Sequence, residues 1–225
     1  MKTFTCSSVI TEIQEEGRLD SNQFPSLLPR LARAYTEIYL RIVQENPYYY
    51  RTTSTISTVA GTAAYNLPSA LISLRRVEVP SSSGFAGPVA LRKTLVSDLS
   101  TISNPVRPDL CRYYVTGTQL FLDPAPNSAV TATLYYVPEP NVLDDVSDTF
   151  TGPHNLDSYL IYAVLMKCHA SVRINGVSWA ELRNEQLALL LSTVRSLDRS
   201  ESLSFQEGAA PTLADQFRRL RGGGY

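Results

Sequence analysis

The apolar positions change period twice along this chain, and the two changes divide it. Over residues 3 to 16, Val9, Ile10 and Ile13 share one helical face, with Thr5, Ser7 or Ser8 as the cap and Gly17 as the stop. A polar stretch, Arg18 to Gln23, leads to a second helix that starts near Pro25, since proline is tolerated in a first turn. Leu28, Leu31, Ala34, Tyr35, Ile38, Ile42 and Val43 keep 3-and-4 spacing as far as Glu45. Asn46-Pro47 ends it, because the residue before proline avoids the helical region.

After Tyr48 the period becomes two. Tyr50 to Val59 is rich in β-branched residues and reads as a strand, and Tyr65-Asn-Leu-Pro68 as a short strand entering a turn. Ile72 to Val79 reads as a cleanly alternating strand with one wet face. Val89 to Arg92, Cys111 to Val115, Gln119 to Leu122 and Val130 to Val137 add further strands, with a turn at Thr116-Gly117 and a short helix over Leu95 to Ile102. Nine of the 14 prolines fall between residues 61 and 150. Proline cannot donate to a ladder, so it marks strand ends and edges. The expected product is a small antiparallel sandwich or barrel of about six strands.

The helical period returns after Gly152-Pro153. Asn155 caps a third helix that runs to about Arg173, contains the run Tyr159 to Met166 and is apolar nearly all round. Asn175-Gly176 stops it. A fourth helix runs from Ser178 to about Arg199, and Ser178 with Glu181 three residues on fits a capping box. The fold expectation is therefore α+β. Residues 1–48 and 152–200 form an antiparallel four-helix bundle, 49–151 an inserted small antiparallel β-sandwich or barrel, and 201–225 an extended, flexible C-terminal arm.

Composition narrows the chemistry. The chain has 225 residues, 44% hydrophobic and 18% charged, so it has the makings of a sizeable core. A net charge of −1 gives no bulk attraction to nucleic acid or anionic membrane. Of 20 basic residues only Lys2, Lys93 and Lys167 are lysine; the arginine excess, like the tyrosine pairs 113–114 and 135–136, suits protein interfaces. Within a strand, though, each pair offers one surface ring only. Cys6, Cys111 and Cys168 are an odd, scattered set without CxxC spacing, which fits reduced thiols rather than a zinc site or disulfides. The N-terminus lacks a secretion h-region, and no apolar run reaches the ~18 residues of a membrane span.

No catalytic constellation emerges. His154, Asp157 and Ser158 crowd a helix start, where capping is the plainer role. His169 and Cys168 are adjacent on one helix and point about 100° apart, which does not suit a nucleophile and its base. Asp144, Asp145 and Asp148 cluster without the EF-hand pattern and read as a solvated loop. Neither GxGxxG nor GxxxxGK[ST] occurs. The expectation is a non-enzyme with no cofactor and no metal. The best functional candidate is the C-terminal tail: Leu213, Phe217, Leu220 and Tyr225 offer apolar anchors, and Arg218, Arg219 and Arg221 offer charge, which suits docking into a partner's groove. The plainer reading is a tail without function.

Three stretches carry a resemblance: Tyr65 to Pro68 followed by Leu71 to Val79; Tyr113 to Pro126 followed by Ala132 to Pro138; and the helix Leu156 to Ala170. Together they resemble the head-to-tail adaptor proteins of short-tailed bacteriophages. The resemblance implies a virion protein of the neck, made in the host cytoplasm, that forms a commonly dodecameric ring of identical copies. Its implied partners are the portal protein above and the tail nozzle or tubular protein below, with DNA passing through the channel without specific binding and no membrane contact. It implies that the arm, here Pro211 to Tyr225, reaches the portal. It also implies that loops such as Ser81 to Gly87 or Asn141 to Asp148 face the tail. The competing readings are a tail tube or nozzle component, and a β-sandwich module that binds glycan or single-stranded DNA through surface tyrosine.

Overall fold

A computed structural model describes residues 1–19, 26–80, 88–96, 112–168, 173–174 and 177–207. The chain divides into two units: Met1–Tyr49 together with Asn141–Tyr225, and Tyr50–Pro140.

The first unit opens with a strand that the helical reading of residues 3 to 16 does not contain. β1 (Lys2–Thr5) pairs antiparallel with β10 (Thr149–Gly152), setting Phe4 opposite Phe150. The two rings stack at 5.5 Å, and Tyr35 closes on Phe150 at 4.9 Å. Helix α1 (Cys6–Gly17) follows directly, with Thr5 as its cap: the Thr5 hydroxyl oxygen accepts from the Ser8 N–H. Cys6, Val9 and Ile13 form its buried face. The stop is Arg18, at φ 47°, rather than Gly17. Gly17 serves a different need. A Cβ there would lie 2.3 Å from Cδ2 of Leu165, so the glycine lets another helix approach.

Helix α2 (Leu28–Glu45) has Pro29, not Pro25, in its first turn; Pro25 lies outside the described residues. It buries Leu31, Ala34, Tyr35, Ile38, Tyr39, Ile42 and Val43 along one stripe. Asn46 ends it and ties it down. Its side chain is buried, donates from Nδ2 to the Val194 carbonyl at 3.1 Å and accepts from the Tyr48 N–H at 2.9 Å. Helix α3 (Leu156–Cys168) buries Leu156, Tyr159, Leu160, Ile161, Ala163, Val164 and Leu165. The hairpin β11 (Arg173–Ile174) and β12 (Val177–Ser178) leads into α4 (Trp179–Glu207). The capping box is present. Ser178 N–H donates to a Glu181 carboxylate oxygen at 2.7 Å, and Glu181 N–H donates to Ser178 Oγ at 3.2 Å. Two exposed charge chains bind the helices together, Arg33–Glu37–Lys167 and Arg41–Glu45–Arg195.

These helices are not the expected antiparallel four-helix bundle. In a bundle each helix occupies a corner and shows one apolar stripe to a shared axis. Here α3 takes the axis itself and packs against α1, α2 and α4. The β1–β10 ribbon fills further core with Phe4 and Phe150. The physical reason is in α3, whose apolar residues circle the helix. A corner position would leave part of that surface in water, at about 1.5–3 kcal/mol for each large side chain exposed.

The second unit holds β2 (Thr52–Ser57), β3 (Ala64–Asn66), β4 (Leu71–Pro80), β5 (Pro88–Ala90), β6 (Arg92–Lys93), β7 (Arg112–Thr116), β8 (Gln119–Asp123) and β9 (Thr131–Pro138). They form two four-stranded sheets, ordered β2-β9-β4-β5 and β3-β8-β7-β6. The second sheet is mixed, because β6 runs parallel to β7, where an all-antiparallel arrangement was expected. Leu74, Val77, Ala132 and Leu134 from the first sheet and Tyr113, Leu120 and Leu122 from the second share one core with Leu91. The β7–β8 hairpin turns through Gly117, at φ 59°. The expected clean alternation of β4 also breaks. Leu74 pairs with Tyr136 and Arg76 with Tyr135, so Arg75 is the extra residue of a bulge. The bulge lets Leu74 and Val77, three apart, both face the core. Of the expected short helix at 95–102, residues 97 onward lie outside the described residues.

The close approach of α1 and α3 is testable. Gly17→Ala sets a methyl against the tip of the fully buried Leu165 side chain, which must shift within the core to admit it. Unfolding free energy falls by about 1–3 kcal/mol, read as a melting temperature several degrees lower by circular dichroism.

Candidate interaction surfaces

The residues nominated for portal docking, Leu213, Phe217, Arg218, Arg219, Leu220, Arg221 and Tyr225, lie outside the described residues, as do Ser81 to Gly87, Cys111 and His169. The loop Asn141 to Asp148 is described, and it is built rather than loose. Leu143 is buried and anchors it. Asp148 accepts from the backbone N–H groups of Asp144 and Asp145, both at 2.8 Å. Asp145 accepts from the N–H and hydroxyl of Ser147 at 2.8 and 2.7 Å. The carbonyls of Asp148 and Val146 accept from the Cys6 and Ser7 N–H groups at 2.9 and 2.8 Å, which satisfies the start of α1. The acidic residues thus shape the loop, and Val142 and Val146 stand out from it at 75% and 51% exposure. Two exposed valines on a braced loop suit contact with another protein surface. Sequence reasoning saw the three carboxylates and passed over the valines, because exposure cannot be read from residue type.

The chemical candidates disperse. His154 is exposed at the start of α3. Asp157 is held by Lys2 at 3.0 Å and accepts from the Ser158 N–H at 2.9 Å, so it does not orient an imidazole. Burial, and then the carboxylates of Asp148 and Asp145, push the Cys6 thiol up, and burial pushes the Cys168 thiol up. Both thiols stay protonated at neutral pH, unlike a reactive thiolate. Among the described residues no group of His, Cys, Asp and Glu is placed to hold a metal ion, and no helix is long and apolar enough to cross a membrane.

The tyrosine pairs split between core and surface. Tyr113 is buried, while Tyr114 stacks on Phe121 at 4.9 Å. Tyr136 packs on the sandwich core, while Tyr135 donates to Glu78 at 2.9 Å under the Arg51 guanidinium. That hydrogen bond, more than burial, raises the Tyr135 hydroxyl. Arg76 binds the same Glu78 carboxylate. The surface tyrosines are therefore committed within the sheets rather than displayed as a stacking platform.

Loop order depends on pH in a direction set by Asp145. The Ser147 amide and then its hydroxyl hold this carboxyl below the usual 3.8. A lowered value means the bonds are complete at neutral pH and are lost as pH falls through the folded-state value. Titration from neutral to below 3.8 should leave the Ser147 amide resonance unchanged until the acid limb, then shift it while core resonances hold. Asp145→Asn should remove that acid limb.

The comparisons with known proteins follow this geometry. No curated protein matches the chain. The family described as SU10 adaptor protein matches residues 4–208, which takes in every strand but β1 whole, and all four helices. The chain belongs to the SU10 adaptor protein family, a family of structural phage adaptors.

Proposed function

We propose that this protein is a head-to-tail adaptor whose identical copies close into a ring, commonly dodecameric, between the portal and the tail nozzle, and continue the channel through which DNA passes. The observation that carries the reading is the family match over residues 4–208. The near-neutral charge supports it, since a strongly basic lumen would grip phosphates and hold the DNA. In this role the chain works through its surfaces and carries out no chemistry of its own.

The arm Pro211 to Tyr225 docks on the portal, with Phe217, Leu220, Leu213 and Tyr225 as anchors and Arg218, Arg219 and Arg221 as charged contacts. Its composition supports this: three arginines stand against one aspartate from Pro211 onward. The tail-side contact falls to Ser81 to Gly87 or to the braced loop Asn141 to Asp148, whose Val142 and Val146 are free to meet a partner.

Cryo-electron microscopy of the full chain mixed with portal rings of the same phage tests the reading. A symmetric collar below the portal is expected, with the C-terminus reaching into it. A bare portal beside folded, soluble protein would reject it. In the same assay, changing Phe217, Arg218 and Arg219 together to alanine should weaken portal binding by about tenfold or more. Unchanged binding would reject the arm as the docking element.

A further inference from the structure

Among the described residues the second unit has four sheet edges, and three are blunted. β5 is three residues long and pairs Pro88 with Pro80. β3 is three residues long and Pro68 follows it closely. β6 is two residues, both charged and exposed. These are the devices by which sheets avoid joining other chains. β2 has none of them. Its six residues, Thr-Thr-Ser-Thr-Ile-Ser, include no proline and no charge, and their register with β9 runs without a bulge from Thr52 to Ser57. Among the described residues no strand lies on its other side.

The direction of its main-chain groups follows from one hydrogen bond. Thr58 N–H donates to the Val130 carbonyl, continuing the β2–β9 ladder. In an antiparallel ladder the bonded residues alternate, so Ser54 and Ile56 bond to β9. The N–H and C=O groups of Thr53, Thr55 and Ser57 then point away from the sheet. All three residues are exposed.

We infer that this edge is the strand acceptor of the contact between neighbouring copies: an extended segment of a second copy of this chain adds to β2. The inference rests on the ring reading above. The choice of occupant follows from what the edge lacks. Strand addition takes affinity from main-chain bonds and specificity from side-chain pockets or charge. Here the flanking side chains are small hydroxyls, which neither select a foreign sequence nor repel one. Such an edge is discriminating only if other contacts present the same segment to it every time. Identical copies related by a ring operator do so at each interface.

Amide hydrogen exchange on the full chain, free and assembled on portal rings, tests this together with two variants. Thr55→Pro removes one outward N–H at a position where an edge strand accepts proline, and Thr55→Lys adds a charge of the kind that blunts edges. Exchange at Thr53, Thr55 and Ser57 should slow about tenfold or more on assembly. Each folded variant should still bind portal, in substoichiometric amounts and without a closed collar. A normal collar from either variant, or equal exchange in the free and assembled wild type, overturns the inference and leaves the adaptor reading standing. Protection already complete in the free chain gives the edge to its own fold, and loss of all portal binding by a folded variant gives it to the portal. Either overturns the inference. If the wild type forms no collar at all, the adaptor reading falls with it.

Discussion

The first unit depends on covering α3 from every side. Leu156, Leu160, Val164 and Leu165 are fully buried, and no single neighbouring helix could shield them all. The surrounding features follow from that demand. Gly17 is small because Leu165 needs its space. The β1–β10 ribbon brings two phenylalanines to a core that three helices leave incomplete. Asn46 turns the chain out of α2 while its amide holds α4 through the Val194 carbonyl. The exposed ion pairs between α2, α3 and α4 add little energy each. They align helices that the apolar core has already brought together.

The second unit meets a different constraint. Two small sheets must share one core, although neither has a long uninterrupted alternating face. The bulge at Arg75 resolves this by shifting phase within β4, which brings Leu74 and Val77 to the same side. The displaced polar groups gather on the other face, where Glu78 takes both Arg76 and the Tyr135 hydroxyl. Edges are then closed by proline and charge, β2 excepted.

In the adaptor role proposed above, such bracing would have a use. A protein that joins two assemblies must hold its contact elements at fixed positions while making them available. The loop Asn141 to Asp148, proposed above as a tail-side contact, is braced in a way that would serve this. The carboxylates of Asp145 and Asp148, read from the sequence as part of a solvated loop, bond the loop's own backbone, two of its carbonyls secure the start of α1, and Val142 and Val146 are left outward. Holding the loop in one shape beforehand reduces the ordering cost of binding.

Much of this was legible in the sequence because it depends on local pattern. Apolar spacing placed the cores of α2 and α3, the Ser178–Glu181 pair marked a helix start, and alternation located β7, β8 and β9. The motifs around Tyr65, Tyr113 and Leu156 carried the adaptor resemblance. Other features required the tertiary structure. Strand β1 is four residues long, too short to show a period beside the helix that follows it, and it becomes a strand only because β10 returns to pair with it. The role of Gly17 depends on Leu165, 148 positions away, and so cannot appear in local spacing. The all-round apolar surface of α3 called from the start for cover on most sides, but not for any particular cover: periodicity shows how much of a helix must be buried, while the path of the whole chain decides what buries it.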